Sequence, residues 1–386
     1  MPRKKTISLT APVMPKGELE RLQQLPDDAL LYELRRRRLL AMRDDAPIWE
    51  GSHLMTDNAR EVEDLIDSVG LPAYASPYTF LRAPYTQDIA GADVVFLGNS
   101  WDLTGYWNNG GTRLAPGAVR QYSCAIDVFQ NVAEHPIYPF HCNVGGVARI
   151  VDYGDIVWGG MPWLEKTWHE KTVATVTKIL EAGAAPLMCG GDHTIAVPMI
   201  RALGAFHDEP LACIHFDAHH DHFPFDDRGL HSGALMWAAI NEGWVDPGAT
   251  IGLGYRGAFN WKHKDDFDFL WGHDLVRLGP TAVAKVVREK VGDKPVWLTF
   301  DIDGLSSETI DGTSTLVPGG PNFHFVQGLL YNLQGINLVG ADLSELNPNT
   351  AGQSTLQASA TAMVYFATLM AIAKGRAPAV IEHDFG

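Results

Sequence analysis

Short apolar runs cover residues 93–98, 149–152, 185–189, 211–216, 250–254, 295–300 and 336–343. Between them, apolar residues recur every three or four positions, which predicts a helix opening near Pro116 and helices over 163–182, 194–206, 232–242, 281–291, 323–333 and 353–374. Buried strands that alternate with helices imply an α/β fold, a three-layer α-β-α arrangement with a mainly parallel central sheet. In such a sheet, ligands bind beyond the carboxyl ends of the strands.

The first 90 residues lack that alternation. Residues 1–15 read as disordered. Residues 17–45 carry leucines at mixed three- and four-residue spacings around the break Pro26-Asp27-Asp28, which predicts a pair of short amphipathic helices. Arg35 to Arg38 lie there as a solvated helix face or a subunit contact. Residues 46–90, rich in Pro, Tyr and Asp with one helical piece at 58–69, read as an extended arm. The expected division is an N-terminal extension, 1–90, and a regular domain, 91–386.

Three of the apolar runs empty into side chains of the same chemical type. Leu211 to Phe216 leads into Asp217, His219 and Asp221; alternate residues of an extended chain face one side, so these three can face one point. Pro295 to Phe300 leads into Asp301 and Asp303, and Ala185 to Cys189 into Gly190-Gly-Asp-His193. Imidazole and carboxylate without thiolate suit Zn, Mn, Fe, Co or Ni and argue against a structural zinc cluster. His193, Asp217, His219, Asp221, Asp301 and Asp303 are too many for one tetrahedral ion, but they suffice for two if Asp217 and Asp301 bridge. Two ions roughly 3.5–4 Å apart can trap a water and lower its pKa, making a nucleophile at neutral pH.

Charge narrows the partner. Four carboxylates, two divalent ions and a hydroxide leave such a site slightly negative, which tolerates a cationic substrate and repels a phosphate ester. The whole chain, with 30 basic and 46 acidic residues, carries a formal charge of −16. That disfavours nucleic acid and anionic membrane as partners. No uninterrupted apolar run of about 18 residues occurs, so no membrane span is expected. The four cysteines, Cys124, Cys142, Cys189 and Cys213, have no framework spacing and read as reduced core residues of a cytoplasmic protein. A further carboxylate, Glu345, follows the run at 336–343 and could meet a planar guanidinium in bidentate fashion.

GGDHT at 190–194, DAHHD at 217–221, DID at 301–303 and DLSELNP at 342–348 together resemble the signature segments of the ureohydrolases, the arginase and agmatinase family. Asn109 to Arg120 is similar to that family's Gly-Arg-Pro segment, and the likeness runs from about Tyr78 to the C-terminus. The resemblance implies an arginase-like domain. In it His193 and Asp221 hold one ion, His219 and Asp303 hold the other, and Asp217 and Asp301 bridge. It further implies that Glu345 orients the guanidino group, that His231 shuttles protons, and that Asp221 passes a proton to the leaving nitrogen. Asp102 is similar to a family aspartate in a loop near the pocket.

Departures from the family pattern bear on the substrate. Where many relatives have a Pro- and Gly-rich loop after DxD, this chain places Ser307, Asp311, Ser314 and Leu316, so the pocket wall is rebuilt. Trp101, Tyr106, Trp107, Phe223 and Phe225 add aromatic bulk suited to a small cation. The long N-terminal extension resembles the guanidine hydrolase branch, which implies nickel, with manganese as the general alternative. The expected reaction is cleavage of a guanidino C–N bond in guanidine or a small substituted guanidine, releasing urea and ammonia or a small amine. An agmatinase, guanidinobutyrase or biguanide (metformin-type) ureohydrolase is the alternative. A homo-oligomer, trimer or hexamer, is expected. A one-metal zinc deacetylase would need fewer aspartates, and a non-catalytic subunit of a mixed oligomer would show eroded ligands; here all six are present. His215, His220 and His222 read as core packing or as supports of the ligands, and Asp192 as a helix cap.

Overall fold

The computed structural model describes residues 78–102, 110–130, 139–140, 142, 144–156, 165–225 and 229–377. The expected helical pair, the arm up to residue 77, and Tyr106 and Trp107 lie outside the described residues. In chain order the regular elements are β1 (Val94–Asn99), α1 (Ala115–Gln130), β2 (Ile150–Ile156), α2 (Glu165–Glu181), β3 (Ala185–Gly190) and α3 (Ala196–Phe206). They continue with β4 (Leu211–Phe216), α4 (Leu235–Asn241), β5 (Val245–Tyr255), β6 (Asp268–Trp271), α5 (Gly272–Leu278) and α6 (Pro280–Val291). β7 (Val296–Asp301), α7 (Phe323–Asn332), β8 (Leu338–Ser344) and α8 (Gln353–Ala373) complete the domain.

All eight strands join one parallel sheet in the order β2-β1-β3-β8-β7-β4-β5-β6. Strand pleating sends alternate residues to opposite faces. Val94 and Phe96 belong to one apolar cluster that also takes in Val119 of α1, Val287 of α6, Leu329 of α7 and Phe366 of α8. Val95 and Leu97 belong to a second cluster, on the other face, with Ile179 of α2, Ile200 of α3 and Leu235 of α4. Each large side chain fully buried this way contributes about 1.5–3 kcal/mol. The expected three layers are therefore present. By length and composition α8 could cross a membrane, but its residues from Ala362 to Ile372 are buried in the domain instead.

Register brings the chemistry to one level. Phe216 pairs with Phe300, Phe300 with Leu343, and Cys189 with Leu343, so β3, β8, β7 and β4, side by side at the middle of the sheet, end together. Phe216 and Phe300 also stack, ring centroids 4.4 Å apart, immediately before Asp217 and Asp301. With strands spaced about 4.8 Å apart, residues that follow these ends are neighbours.

Several elements differ from the periodicity. β5 begins at Val245 rather than 250, because its register shifts against β4 over Asp246 to Ala249, where Pro247 and Gly248 interrupt the apolar run. β6 and α5 had no sequence signal: β6 is a four-residue edge strand whose residues are all partly exposed. Within the expected arm, Phe80 is buried and stacks on Phe96 of β1 with centroids 4.5 Å apart, and Tyr85 bridges to Asp152 of β2. None of the four cysteines forms a disulfide, and all are buried.

Candidate metal centre

The ends of β3, β4 and β7 deliver the six expected side chains to one place. Nδ1 of His193 stands 3.1 Å from Oδ2 of Asp217, 3.2 Å from Oδ2 of Asp221 and 3.4 Å from Oδ2 of Asp301. Nδ1 of His219 stands 3.0 Å from Oδ2 of Asp303 and 3.5 Å from Oδ1 of Asp217. Asp217 thus offers one oxygen to each nest. All six are buried except His219, whose side chain is 16% exposed.

Local turns aim these groups. The side chain of Asp301 accepts the amide of Asp303 at 2.7 Å, and Asp217 accepts that of His219 at 2.6 Å, folding each segment back over its strand end. Asp303 accepts the amide of Ala218 at 3.1 Å and so ties the β7 segment to the β4 segment. Asp221 adopts a left-handed backbone at φ 44°, and Glu345 does so at 62°. Non-glycine residues in that region cost of order 1–3 kcal/mol and gather where function requires a fixed geometry.

The charge balance asks for cations. Burial, followed by the charges of Asp303 and Asp217, raises the Asp301 carboxyl well above its usual range. Burial and then Asp217 raise Asp221 as well. Burial also pushes Asp217 up, but the His193, His215 and His219 side chains beside it outweigh burial and hold Asp217 well down. Burial disfavours a charged His219, yet Asp303 and Asp217 push it up to about 12. The carboxylates draw positive charge wherever they find it.

A hydrogen-bond chain behind His193 tests whether a metal fits. Asp342, on β8, accepts the indole N–H of Trp297 at 2.7 Å and the hydroxyl of Thr299 at 2.8 Å. With its proton committed to Asp342, the Thr299 oxygen accepts Nε2–H of His193, 2.8 Å away. That tautomer leaves a lone pair on Nδ1 facing three carboxylates. Nδ1 is buried and aligned in no hydrogen bond, although oxygens stand within 3.4 Å. Such an arrangement is repulsive unless a cation lies between, and a histidine held by its other nitrogen is how proteins present a metal ligand. The donors fit divalent ions of the Mn, Fe, Co, Ni and Zn group.

Glu345 lies beside this cluster, 4% exposed, just past the end of β8. Its Oε1 accepts the amide of His193 at 2.9 Å and its Oε2 the hydroxyl of Ser314 at 3.1 Å. Burial and the nearby Asp192 raise its pKa to about 8. The rebuilt loop touches the site twice, because Thr315 Oγ1 donates to Oδ2 of Asp303 at 3.0 Å.

The remaining expectations separate. Asp192 caps the turn at His193 through the amide of Thr194, as its position predicted. Asp102 accepts the amide of Gly111 at 3.0 Å and pairs with Arg113, which fixes the loop ahead of α1. His231 is 8% exposed, with Nε2 3.2 Å from the carbonyl oxygen of Pro224, in the loop between β4 and α4. His215 bridges Asp217, 3.0 Å from Nε2, and the Tyr255 hydroxyl, 2.6 Å from Nδ1. Its place two residues before Asp217 was the available signal. Thr299, Asp342 and Tyr255 were not identified from the sequence.

Comparison with known proteins agrees with the geometry. The sequence pattern of the arginase family matches residues 92–370. An agmatinase from Chromobacterium violaceum is 34% identical over 75% of this chain and 87% of its own. A guanidinopropionase from Pseudomonas aeruginosa is 32% identical over 81% of this chain and 97% of its own. Among solved structures, a hypothetical agmatinase from Burkholderia thailandensis is 31% identical, with a TM-score of 0.73 over 79% of this chain and 94% of its own. The chain therefore belongs to the arginase family and is a hydrolase acting on amidino groups.

Proposed function

We propose that the protein cleaves the C–N bond of guanidine or a small substituted guanidine, releasing urea and ammonia or a small amine. The observation that carries this reading is Glu345, buried beside six ligand-type side chains with each carboxylate oxygen holding one hydrogen bond. A carboxylate oxygen has about two lone-pair sites, so both oxygens retain one with which to meet a planar guanidinium.

Two divalent ions are proposed, with His193 and Asp221 on one, His219 and Asp303 on the other, and Asp217 and Asp301 shared. Nickel is favoured by the guanidine hydrolase resemblance, and manganese is the alternative. When bound, such ions would supply a nucleophile at neutral pH by lowering the pKa of water. Glu345 would hold the substrate's guanidino plane with its central carbon toward the six ligand-type side chains. Asp221 takes the proton of the attacking water and delivers it to the departing nitrogen, and His231 exchanges protons with solvent. Water and guanidine thereby become urea and ammonia.

Two features support a small substrate. Ser314 closes on Glu345 from the loop side, which shortens the space for a substituent, and Trp101 is buried next to the site, with its carbonyl accepting the amide of Asp192. The relatives named agmatinase and guanidinopropionase support guanidino C–N hydrolysis in general and favour a second reading, a substrate with a longer tail. Urea release should be measured with guanidine, agmatine, 3-guanidinopropionate, 4-guanidinobutyrate, arginine and metformin. Preference for guanidine or a biguanide is expected; preference for arginine would overturn the small-pocket reading.

A further inference from the structure

We propose that His222, His263 and Asp266 form a separate cation site that takes one borderline divalent ion, such as zinc, nickel or cobalt. Nε2 of His222 lies 2.8 Å and Nδ1 of His263 lies 3.0 Å from the same oxygen, Oδ2 of Asp266. All three potential ligand atoms fall within 4.8 Å of one another. A tetrahedral ion with bonds of about 2.0–2.1 Å sets neighbouring ligand atoms about 3.3 Å apart. Opening the cluster by a few tenths of an ångström is enough. The side chains that must move, His263 and Asp266, are 22% and 36% exposed and are not locked in the core.

The third ligand is preorganised. His222 is fully buried, with its ring centroid 5.5 Å from those of both Trp237 and Phe267. Asn260 donates to the His222 carbonyl at 2.7 Å, and its own amide reaches Nδ1 of His220 at 3.3 Å, so the 260–266 loop is already stitched to the segment after Asp221. Two imidazoles and one carboxylate, with a coordination position left for water, match the borderline divalent ions and give calcium or magnesium too few oxygens. An ion here braces the segment that carries His219 and Asp221 from outside the amidino-hydrolysing centre. The proposal does not rest on the substrate assignment.

Equilibrium dialysis of the full chain against zinc or nickel, followed by metal analysis, tests it. His263→Ala and Asp266→Asn are each expected to hold one ion fewer per chain than the wild type while still releasing urea. Equal ion counts in wild type and both variants overturn the site. Cobalt(II) gives a second readout that separates the two centres. Asp301→Asn should lose the visible absorption of the catalytic ions and keep a band that His263→Ala lacks. A cobalt spectrum unaltered by His263→Ala also overturns the proposal. Should His263→Ala fail to fold, Asp266→Asn, which keeps the side-chain size at a partly exposed position, carries the same comparison.

Discussion

Nε2 of His193 and the Thr299 hydroxyl lie 2.8 Å apart, a contact that spans 106 residues and joins β3's end to the interior of β7. Because Thr299 gives its proton to Asp342, this contact decides which His193 nitrogen is bare. Thr299→Val keeps the shape and deletes the relay. Metal affinity should fall about 10–100-fold, the usual cost of removing such a support. Titration of the metal-free protein with manganese or nickel measures it, and affinity equal to wild type would show that His193 needs no orienting partner.

Ser314 and Glu345 make the second testable contact. Ser314→Ala removes a hydrogen bond to a carboxylate, a loss of about 1.5–3 kcal/mol if it holds Glu345 in its working orientation. In kcat/KM for the preferred small substrate, that is roughly a 10–150-fold drop. Because the alanine also frees space, substrates with longer tails should lose less. Uniform loss across all substrates would leave Ser314 a structural role only.

The apolar runs and the carboxylate and histidine residues after them made the sheet and six of the ligand-type residues legible, since pleating fixes which residues share a face. Strand order is absent from that pattern. Nothing in the sequence says that β8 lies between β3 and β7, so Asp342 could not be connected to Thr299, nor Tyr255 of β5 to His215 of β4. His215 was readable by parity with Asp217. β6 was not, because four edge residues are too few to show a period.

Arg120 of α1 reaches across to β2, with Nε 2.7 Å from Oδ2 of Asp152 and Nη1 2.7 Å from Oδ1 of Asp155. Burial works against the guanidinium charge, but Asp152 outweighs it and raises the pKa further. Asp152 also accepts the amide of Phe80. Arg120→Ala would strand a buried carboxylate at a cost of about 3–5 kcal/mol. Denaturant unfolding should show that loss. Arg120→Ala with Asp152→Asn should recover part of it, because the amide carries no charge.

Acid sensitivity is predicted at Asp311, whose Oδ1 accepts the Thr355 hydroxyl at 2.6 Å and the Gly352 amide at 2.9 Å at the start of α8. Hydrogen bonding from Thr355, then from Gly352, lowers its pKa. A carboxyl depressed in the folded state stabilises the protein above its unfolded pKa, and the gain disappears as pH falls through the lower folded value. Asp311→Asn should therefore lower the melting temperature at neutral pH and flatten its decline below about pH 4. Parallel melting curves for variant and wild type across that range would exclude the contribution.

Tyr255 donates to Nδ1 of His215, and Nε2–H of His215 donates to Asp217, so a phenol on β5 sets the tautomer of a histidine that steadies the carboxylate shared by both nests. Tyr255 is 1% exposed. Tyr255→Phe leaves Nδ1 of His215 buried without its donor, at a cost of about 1–3 kcal/mol. The ring contacts survive, so the fold should too. If the role is positioning, the metal affinity of the variant falls along with its stability, and His215→Asn together with Tyr255→Phe costs less than the sum of the two single changes. Strict additivity would mean that the two residues act apart and that Tyr255 does not position Asp217 through His215.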